Sequence, residues 1–320
     1  MDPLLCAFLA LLHRRHAGRI SSREAAEQYV ALCERQSRQQ HFALPADLED
    51  FCMDAPSSTI SWHSHAFSVE RFPANSRVRV ILFPVQPEAP TVVMLHALMS
   101  VSDRGYRNWA KVFNQLGWNA AFVHLPFHYS RRPPGHLNGE LCCTADLVLT
   151  GDTLRQAVVE IRQLLAWLRQ QGSREFGLVG TSYGGWVAAL VASLEPELRF
   201  LTLLAPMVNV IHALYQGPTS WVIRRQLARA GLDPALVERH AHLSSPIRGA
   251  PMDDVSGRTL IVAGTVDRIV RLADLEALHG AWPGSELIRL PQAHFGYGMM
   301  PCAIDWLHER RLIESVSYSK

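Results

Sequence analysis

The chain has 320 residues, which is long enough for one α/β domain with additions and for a sizeable buried core. Hydrophobic residues make up 48% of it and charged residues 19%, the balance of an ordinary globular protein, which excludes extensive disorder. Its 31 Lys and Arg residues against 29 Asp and Glu leave a net charge of only +2, so the chain lacks a basic footprint for a phosphate backbone and we expect no nucleic-acid partner.

The chain begins with an apolar run over residues 4–12 that is about as long as the core of a signal peptide. Asp2 stands where a basic lead is expected, and no small-residue cleavage site follows, so the sequence favours a cytoplasmic protein. No stretch reaches the ~18 to 20 apolar residues that a spanning helix needs. We therefore expect no transmembrane segment and leave peripheral contact with a membrane open.

The cysteines show no spacing typical of metal ligands, and a chain of this size does not need a disulfide framework. We interpret them as reduced thiols and expect no metal site. They are Cys6, Cys33, Cys52, Cys142, Cys143 and Cys302.

Residues 1–55 are predicted to form a helical extension, and residues 56–320 the main domain. The extension is interpreted as two helices. Ser21 is followed three residues later by Glu24, which indicates a capping box at the start of the second helix.

Two strands are predicted next, at residues 65–69 and 78–83, because apolar and polar residues alternate there. The turn-forming residues 73–76 would join them. Such a pair fits an antiparallel edge of a sheet.

After Pro90, short continuous apolar runs alternate with helical periodicity, which is the pattern of a parallel sheet built from strand-helix-strand units. The clearest helix runs from Leu154 to Leu168, where apolar residues recur at spacings of three and four and form one stripe. The predicted fold class is therefore α/β, with a mostly parallel central sheet and helices on both faces. The predicted strands are 91–95, 120–125, 176–179, 200–204, 260–263 and 287–290.

Two intervals interrupt this alternation. Residues 126–150 are rich in Pro, Gly and His, and residues 211–250 are helical with Gly and Pro breaks. Long insertions that follow strand ends in such sheets fall on the ligand-binding edge. We predict that 126–150 is a lid and 211–250 a cap.

One segment carries the clearest chemical signal. An apolar strand ends in Gly180-Thr181-Ser182-Tyr183-Gly184 and is followed by a helix of small residues, the pattern of a nucleophile elbow. The sharp turn strains the serine backbone and requires small residues two positions before and after it, as Gly180 and Gly184 are. We predict that Ser182 is a nucleophile.

A serine hydroxyl needs a base, and the base needs an acid that orients it. Asp267 follows the strand at 260–263, and His294 follows the strand at 287–290, so both reach the edge of the sheet where Ser182 is expected. We predict Asp267 as the acid and His294 as the general base. The alternative for Asp267 is a turn cap, and the alternative for His294 is a solvated histidine.

An oxyanion formed at Ser182 would need two backbone N–H donors. Tyr183, the residue after the nucleophile, is the first candidate. The second should lie in His96-Ala97-Leu98, after the strand at 91–95, where Leu98 is preferred and Ala97 is the alternative. His96 is interpreted mainly as a structural brace of this loop.

Together the segments His96 to Leu98, Gly180 to Gly184, Gly264 to Asp267 and His294 resemble the α/β-hydrolase superfamily from about residue 60 onward. The loop around His128 and Glu140 is also similar to a branch known only as hydrolase-domain proteins. The resemblance implies an α/β-hydrolase fold and a Ser-His-Asp triad. It leaves the substrate open, because the superfamily includes esterases, lipases, thioesterases and peptidases.

The residues after the strand at 120–125 are candidates for substrate binding. His128, Tyr129, Arg131 and Arg132 follow that strand directly, and an arginine pair is suited to binding a carboxylate or phosphate. His96 is carried as a further candidate contact. The alternative is a solvated loop without a role in binding.

The function that these observations favour is cleavage of a carboxylic ester through an acyl-enzyme, as in an esterase or a lipase-like enzyme. The substrate would be a small-molecule or lipid-like acyl compound, and no cofactor is expected. A thioesterase or a peptidase would use the same site, and a non-catalytic binding protein on the same scaffold is the alternative of another class.

Overall fold

One nine-stranded sheet organises the computed structural model, which describes residues 4, 7–8, 11, 20–46, 50–64, 71–251 and 253–313. The strands are β1 (Cys52–Asp54), β2 (Thr59–His63), β3 (Arg77–Phe83), β4 (Thr91–Leu95), β5 (Asn119–His124), β6 (Phe176–Thr181), β7 (Leu198–Leu204), β8 (Thr259–Gly264) and β9 (Glu286–Leu290). Their order is β1-β2-β3-β5-β4-β6-β7-β8-β9. The pairs β1–β2, β2–β3 and β3–β5 are antiparallel, and the other five pairs are parallel. The prediction of a mostly parallel sheet is confirmed.

All six apolar runs predicted after Pro90 are strands, and only their ends differ from the prediction, by one or two residues. The central strands β4 and β8 are buried along their whole length. Strands covered on both faces need apolar residues at every position, which is why these runs are continuous rather than alternating.

The antiparallel edge differs in part from the prediction. β3 lies where a strand was predicted over 78–83, but the strand predicted at 65–69 lies outside the described residues. The observed partner of β3 is β2, in which Ile60 and Trp62 are buried while His63 is exposed. From Ile60 onward the burial alternates, as in a strand with one covered face.

Helices cover both faces of the sheet, as predicted. They are α1 (Arg23–Glu34), α2 (Arg38–His41), α3 (Arg104–Gln115), α4 (Leu147–Gln170), α5 (Tyr183–Ala192), α6 (Trp221–Arg229), α7 (Pro234–His240), α8 (Asp253–Ser256), α9 (Leu272–Ala281) and α10 (Met299–Glu309). Val93 of β4 belongs to the apolar cluster that contains α4, α5 and α9, whereas Val92 and Met94 belong to the cluster that contains α3 and α10. None of the described helices is long and apolar enough to cross a membrane.

Helix α1 packs on the helices of the main domain. Ser22, rather than Ser21, is its N-cap and accepts a hydrogen bond from the N–H of Ala25. The Oγ of Ser21 is free of the helix and donates instead to Asp146 at the start of α4, at 2.6 Å. At the other end of α1, Glu34 forms an ion pair with Arg239 of α7.

A buried ion pair fixes the chain where it leaves β5. Arg131 donates from both terminal nitrogens to the carboxylate of Glu160 in α4, at 2.6 and 2.8 Å, and both side chains are at most 1% exposed. The same guanidinium donates to the carbonyl oxygens of His124 and Asn75. Gln156 donates to Glu160 from the preceding turn of α4. The loop after β5 is thus tied to the longest helix of the fold.

The Arg131–Glu160 pair generates a stability prediction. The substitution Glu160→Gln keeps the side-chain shape but leaves a buried guanidinium without its counter-charge, which should lower the free energy of unfolding by about 3 kcal/mol or more. Urea denaturation followed by circular dichroism measures it. The control is Glu276→Gln, which breaks the exposed pair with Arg289 and should change the same quantity by less than about 1 kcal/mol. Equal losses in both variants would contradict the prediction.

Candidate active site

Ser182 occupies a strained turn between β6 and α5. Its backbone has φ 53° and ψ −113°, a conformation that costs free energy for a residue with a Cβ atom. The turn is held on both sides, because the Ser182 N–H donates to the carbonyl oxygen of Leu204 at 2.9 Å and the Ser182 carbonyl accepts from Trp186 and Met207 at 3.0 Å. The strain therefore persists and presents the Oγ at the end of the sheet.

Two glycines make this turn sterically allowed. A Cβ atom at Gly184 would lie 2.4 Å from the carbonyl oxygen of Leu95 at the end of β4, and a Cβ atom at Gly180 would lie 2.4 Å from the carbonyl oxygen of Gly184. Both obstacles are backbone atoms, which cannot move aside as a flexible side chain can. The G-x-S-x-G spacing thus follows from the close packing of α5 on β4.

Ser182, His294 and Asp267 lie in one line of hydrogen bonds. The Nε2 of His294 is 3.0 Å from the Oγ of Ser182, and its Nδ1 is 2.7 Å from the Oδ2 of Asp267. The carboxylate accepts the Nδ1 proton, so the neutral ring has its lone pair on Nε2, towards the serine. The other oxygen of Asp267 accepts from the N–H groups of Ile269 and Val270, at 2.8 and 2.9 Å, which fixes the carboxylate before any substrate binds.

The backbone around Ser182 distinguishes the two candidates for the second oxyanion donor. The N–H of Ala97 donates to the phenol oxygen of Tyr106 at 3.2 Å, so it is already used. Leu98 lines the same cavity as Ser182. Tyr183 is the first residue of α5, where N–H groups have no partner within the helix. Leu98 and Tyr183 are therefore the donors that this geometry favours, and Ala97 is not.

His96 and His128 are braces within the backbone rather than substrate contacts. His96 is fully buried, donates from Nδ1 to the Ala97 carbonyl and accepts from the N–H of Leu125 at 3.1 Å. His128 donates from Nδ1 to the Pro126 carbonyl at 2.8 Å and accepts the N–H of Met99 at 3.2 Å. The prediction that these histidines bind substrate is corrected, because their ring nitrogens already hold the loops after β4 and β5 together.

Both histidines must be neutral to do this. Burial lowers the pKa of His128 to about 3 and lowers the pKa of His96 well below its ordinary value. A proton on either Nε2 would turn an acceptor into a donor that faces a backbone N–H. The two rings also touch, with centroids 4.4 Å apart.

The other three residues predicted to bind substrate lie elsewhere. Arg131 is in the buried ion pair with Glu160, so the prediction that an arginine pair binds an anionic substrate group is wrong. Tyr129 donates from its hydroxyl to Ser100, and Arg132 donates to the carbonyl of His136. Tyr129 and Arg132 line a surface groove that does not contain Ser182.

The cavity at Ser182 is mostly apolar, and residues of both predicted insertions contribute to it. No lysine or arginine is found among its described lining residues, whereas two carboxylates, Glu140 and Asp274, are. Segment 126–150 contributes Gly139, Glu140 and Cys143, and segment 211–250 contributes His212, Ala213, Thr219 and Ile223. The rest of the lining is Leu98, Met99, Ser182, Met207, Val208, Asn209, Ile269, Val270, Asp274, His294 and Phe295.

Comparisons with known proteins agree with this architecture. Residues 72–221, just under half of the chain, match the family model "alpha/beta hydrolase domain containing 18". The chain also resembles, in fold, acetyl xylan esterase 1 from Thermoanaerobacterium sp. JW/SL YS485, with a TM-score of 0.59 and 12% identity over 91% of this chain and 95% of that one. An acetyl xylan esterase from Paenibacillus sp. R4 gives a TM-score of 0.58 and 15% identity over 89% and 92%. The chain therefore has the α/β-hydrolase fold.

The chain has a nearer relative in sequence within Mycobacterium tuberculosis (strain H37Rv). This uncharacterised protein is 30% identical over 234 residues, which are 71% of this chain and 54% of that protein. The chain thus spans about half the length of the curated relative it matches. This relative therefore gives no indication of a substrate.

Sequence reasoning missed several cavity residues, among them Asn209, His212 and Asp274. Asn209 and His212 lie beside and within the insertion 211–250, and Asp274 lies in α9, so no motif marks them. Phe295 carried a usable signal because it directly follows His294, as did Ile269 and Val270 because they closely follow Asp267.

The packing of α5 on β4 generates a second prediction. Gly184→Ala places a Cβ atom against the Leu95 carbonyl, and we expect it to lower the free energy of unfolding by about 1–3 kcal/mol, as overpacking does. Gly280→Ala is the matched control, since a Cβ atom there meets nothing within 4 Å and the position is an exposed helical one. It should be neutral or stabilising by about 0.5–1 kcal/mol. Thermal and urea unfolding measure both, and an unchanged Gly184 variant would refute the steric argument.

Proposed function

We propose that this protein is a serine hydrolase that cleaves a carboxylic ester through a covalent acyl-enzyme. The observation that carries the proposal is the continuous line of hydrogen bonds from Asp267 through His294 to the Oγ of Ser182, at 2.7 and 3.0 Å. A serine hydroxyl needs a base within hydrogen-bond reach, and the base needs a third group that fixes its tautomer. His294 is placed to act as the base, and Asp267 is placed to fix the tautomer of His294.

In the proposed reaction, the Oγ of Ser182 bonds to the ester carbonyl carbon while its proton passes to the Nε2 of His294. The carbonyl π electrons move to the oxygen, which the N–H groups of Tyr183 and Leu98 would stabilise. The tetrahedral intermediate then expels the alcohol, which takes the proton from His294. Water repeats the two steps on the acyl-enzyme and releases the acid, while Asp267 stabilises the charged imidazole throughout.

The nature of the cavity supports an uncharged substrate. Most of its lining is apolar, and the charged side chains in it are the carboxylates of Glu140 and Asp274. An anionic ester would meet the carboxylate of Glu140 there, and Arg271, beside Asp274, is already paired with that residue. Two structures that share the fold carry the name acetyl xylan esterase, which agrees with an ester as the bond cleaved.

A non-catalytic binding protein would not explain the strained backbone of Ser182 or its alignment with His294. The positive φ of Ser182 costs free energy, and strained residues of this kind persist mainly where function uses them. A protein that only binds would need neither the strained serine nor an imidazole aligned on it. Thioesters and amides remain outcomes of the substrate test, because they react at the same groups.

The triad proposal predicts the behaviour of its variants. Ser182→Ala or His294→Ala should lower kcat on an activated ester by about 10⁴-fold or more, and the double variant should lose little beyond either single one, since the residues act as a unit. Asp267→Asn should lose less than Ser182→Ala. The measurement is p-nitrophenyl butyrate hydrolysis, with p-nitrobenzyl thioester and p-nitroanilide analogues alongside.

A fluorophosphonate probe gives an independent readout of the same proposal. It should phosphonylate wild type at Ser182, and labelling should be slower in the His294→Ala variant, because the base is missing. Mass spectrometry of the labelled peptide identifies the site. Folded wild type that neither reacts with the probe nor cleaves any ester, thioester or amide would refute the hydrolase proposal and favour the binding scaffold.

His128 generates a further prediction, because its Nε2 holds the Met99 N–H beside Leu98. His128→Phe fills the space but removes the hydrogen-bond acceptor of Met99. The loop that carries Leu98 and Met99 should then no longer be held in one position. We expect kcat to fall by about 10-fold or more with a much smaller change in KM, as for loss of transition-state stabilisation. His240→Phe is the control: His240 is also buried and bonded to a carbonyl, at Leu147, but lies outside the described lining of the cavity. Equal effects on kcat would show that His128 acts only through stability.

A further inference from the structure

His212 stands out among the residues of the cavity at Ser182. It begins a π-helical turn, His212–Gln216, in the insertion between β7 and α6. Turns of this type are rare and frequently occur at functional sites. His212 is only 8% exposed and lines the cavity among apolar neighbours such as Ala213 and Ile269.

The ring of His212 is held in one orientation. Its Nε2 donates to the carbonyl oxygen of Ile269 at 3.1 Å, and its backbone N–H donates to the side-chain oxygen of Asn209 at 2.9 Å. Asn209 is fixed in turn, since its amide donates to Asp274, which forms an ion pair with Arg271. The ring therefore cannot turn freely to satisfy its other nitrogen.

That other nitrogen is an acceptor without a partner. Burial, followed by the nearby Arg271, lowers the pKa of His212, so the ring is neutral. Because Nε2 carries the proton, Nδ1 carries the lone pair. In the described part of the chain, His212 is the one cavity-lining residue with a buried side-chain nitrogen or oxygen that has no hydrogen-bond partner. A buried acceptor of this kind is uncommon in a native protein, and a donor on a bound molecule would satisfy it.

We propose that His212 forms a specificity subsite that accepts a hydrogen bond from a hydroxyl group of an uncharged ester substrate. This inference rests on the proposed hydrolase function and adds the substrate class to it. A hydroxyl is the donor that fits best, because the surrounding walls are apolar and penalise a charged group. A carboxylate has no proton to donate, and a carboxylate or phosphate would also meet the carboxylate of Glu140.

The subsite is attached to the catalytic residues through one turn. Ile269 accepts from His212 with its carbonyl and donates with its own N–H to Asp267. The position of the acceptor relative to the reacting centre is therefore fixed by hydrogen bonds on both sides of the Ile269 backbone. A hydroxyl at the matching position of the substrate would help to orient the ester carbonyl, and a substrate without it would leave the acceptor unpaired.

Matched ester pairs test the inference. One pair places the hydroxyl on the acyl side, p-nitrophenyl 3-hydroxybutyrate against p-nitrophenyl butyrate, and the other on the alcohol side, 2-hydroxyethyl butyrate against ethyl butyrate. We expect wild type to prefer the hydroxylated member of at least one pair by about 10-fold or more in kcat/KM. The ester p-nitrophenyl 3-aminobutyrate, whose amine is charged at neutral pH, should be disfavoured against its hydroxyl analogue.

Three variants separate recognition from structure. His212→Leu removes the acceptor and should bring the preference to near unity, while His212→Gln, whose amide can donate to Ile269 and also offer an oxygen, should retain part of it. Thr219→Val is the control, because it removes a different polar group from the same cavity and should leave the preference unchanged. If His212→Leu fails to fold, the His212→Gln and Thr219→Val comparison still decides the point.

The outcomes distinguish this inference from the function on which it rests. Wild type that cleaves plain and hydroxylated esters equally, or a preference that is unchanged in the His212 variants, overturns the subsite but leaves the hydrolase proposal intact. A stronger preference for the aminated ester overturns the hydroxyl assignment. Wild type that cleaves no ester at all overturns the hydrolase proposal, and the subsite with it.

Discussion

The contact between the start of α5 and the end of β4 is the constraint on which the site depends. Gly184 lies so close to the carbonyl oxygens of Leu95 and His96 that no side chain fits between them. Since β4 and β6 are parallel neighbours in register, with Leu95 opposite Gly180, their following loops emerge side by side. The strained turn at Ser182 and the loop that carries Leu98 are therefore brought together by backbone packing, before any side chain is considered.

Irregular backbone at the end of a sheet has to be held in place, and this chain uses two kinds of buried polar group for it. His96 and His128 do so as neutral rings, each of which joins two loop segments through one donated and one accepted hydrogen bond. Arg131 and Glu160 do so as charged groups. Both terminal nitrogens of Arg131 and both carboxylate oxygens of Glu160 are hydrogen-bonded. The neutral ring of His128 holds Met99, which lines the cavity at Ser182, where an additional fixed charge would alter the field that acts on a developing oxyanion.

The features that the sequence made predictable are those with a local cause. Continuous apolar runs mark buried parallel strands, and the glycines around Ser182 mark the sharp turn, so the sheet and the position of the serine followed from neighbouring residues alone. Arg131 shows the opposite case. Whether an arginine after a strand reaches solvent or the core depends on its partner, here Glu160, which lies 29 residues further on in another element. The lining of the cavity could not be predicted for the same reason, since His212 belongs to an insertion without a recurring pattern and Asn209 lies just before that insertion.

His212 is bonded to the turn that carries Asp267, yet the residues proposed for substrate recognition and those proposed for catalysis lie in different segments. The N–H of Ile269 donates to Asp267, and its carbonyl oxygen accepts from His212. The same residue therefore helps to fix both the catalytic carboxylate and the His212 ring. Replacing the His212 side chain removes the contact to the carbonyl but leaves the amide and Asp267 bonded as before. Residues of the insertion can therefore change what the cavity recognises while the line from Asp267 to Ser182 stays intact, whereas a change in the backbone of the turn would disturb both.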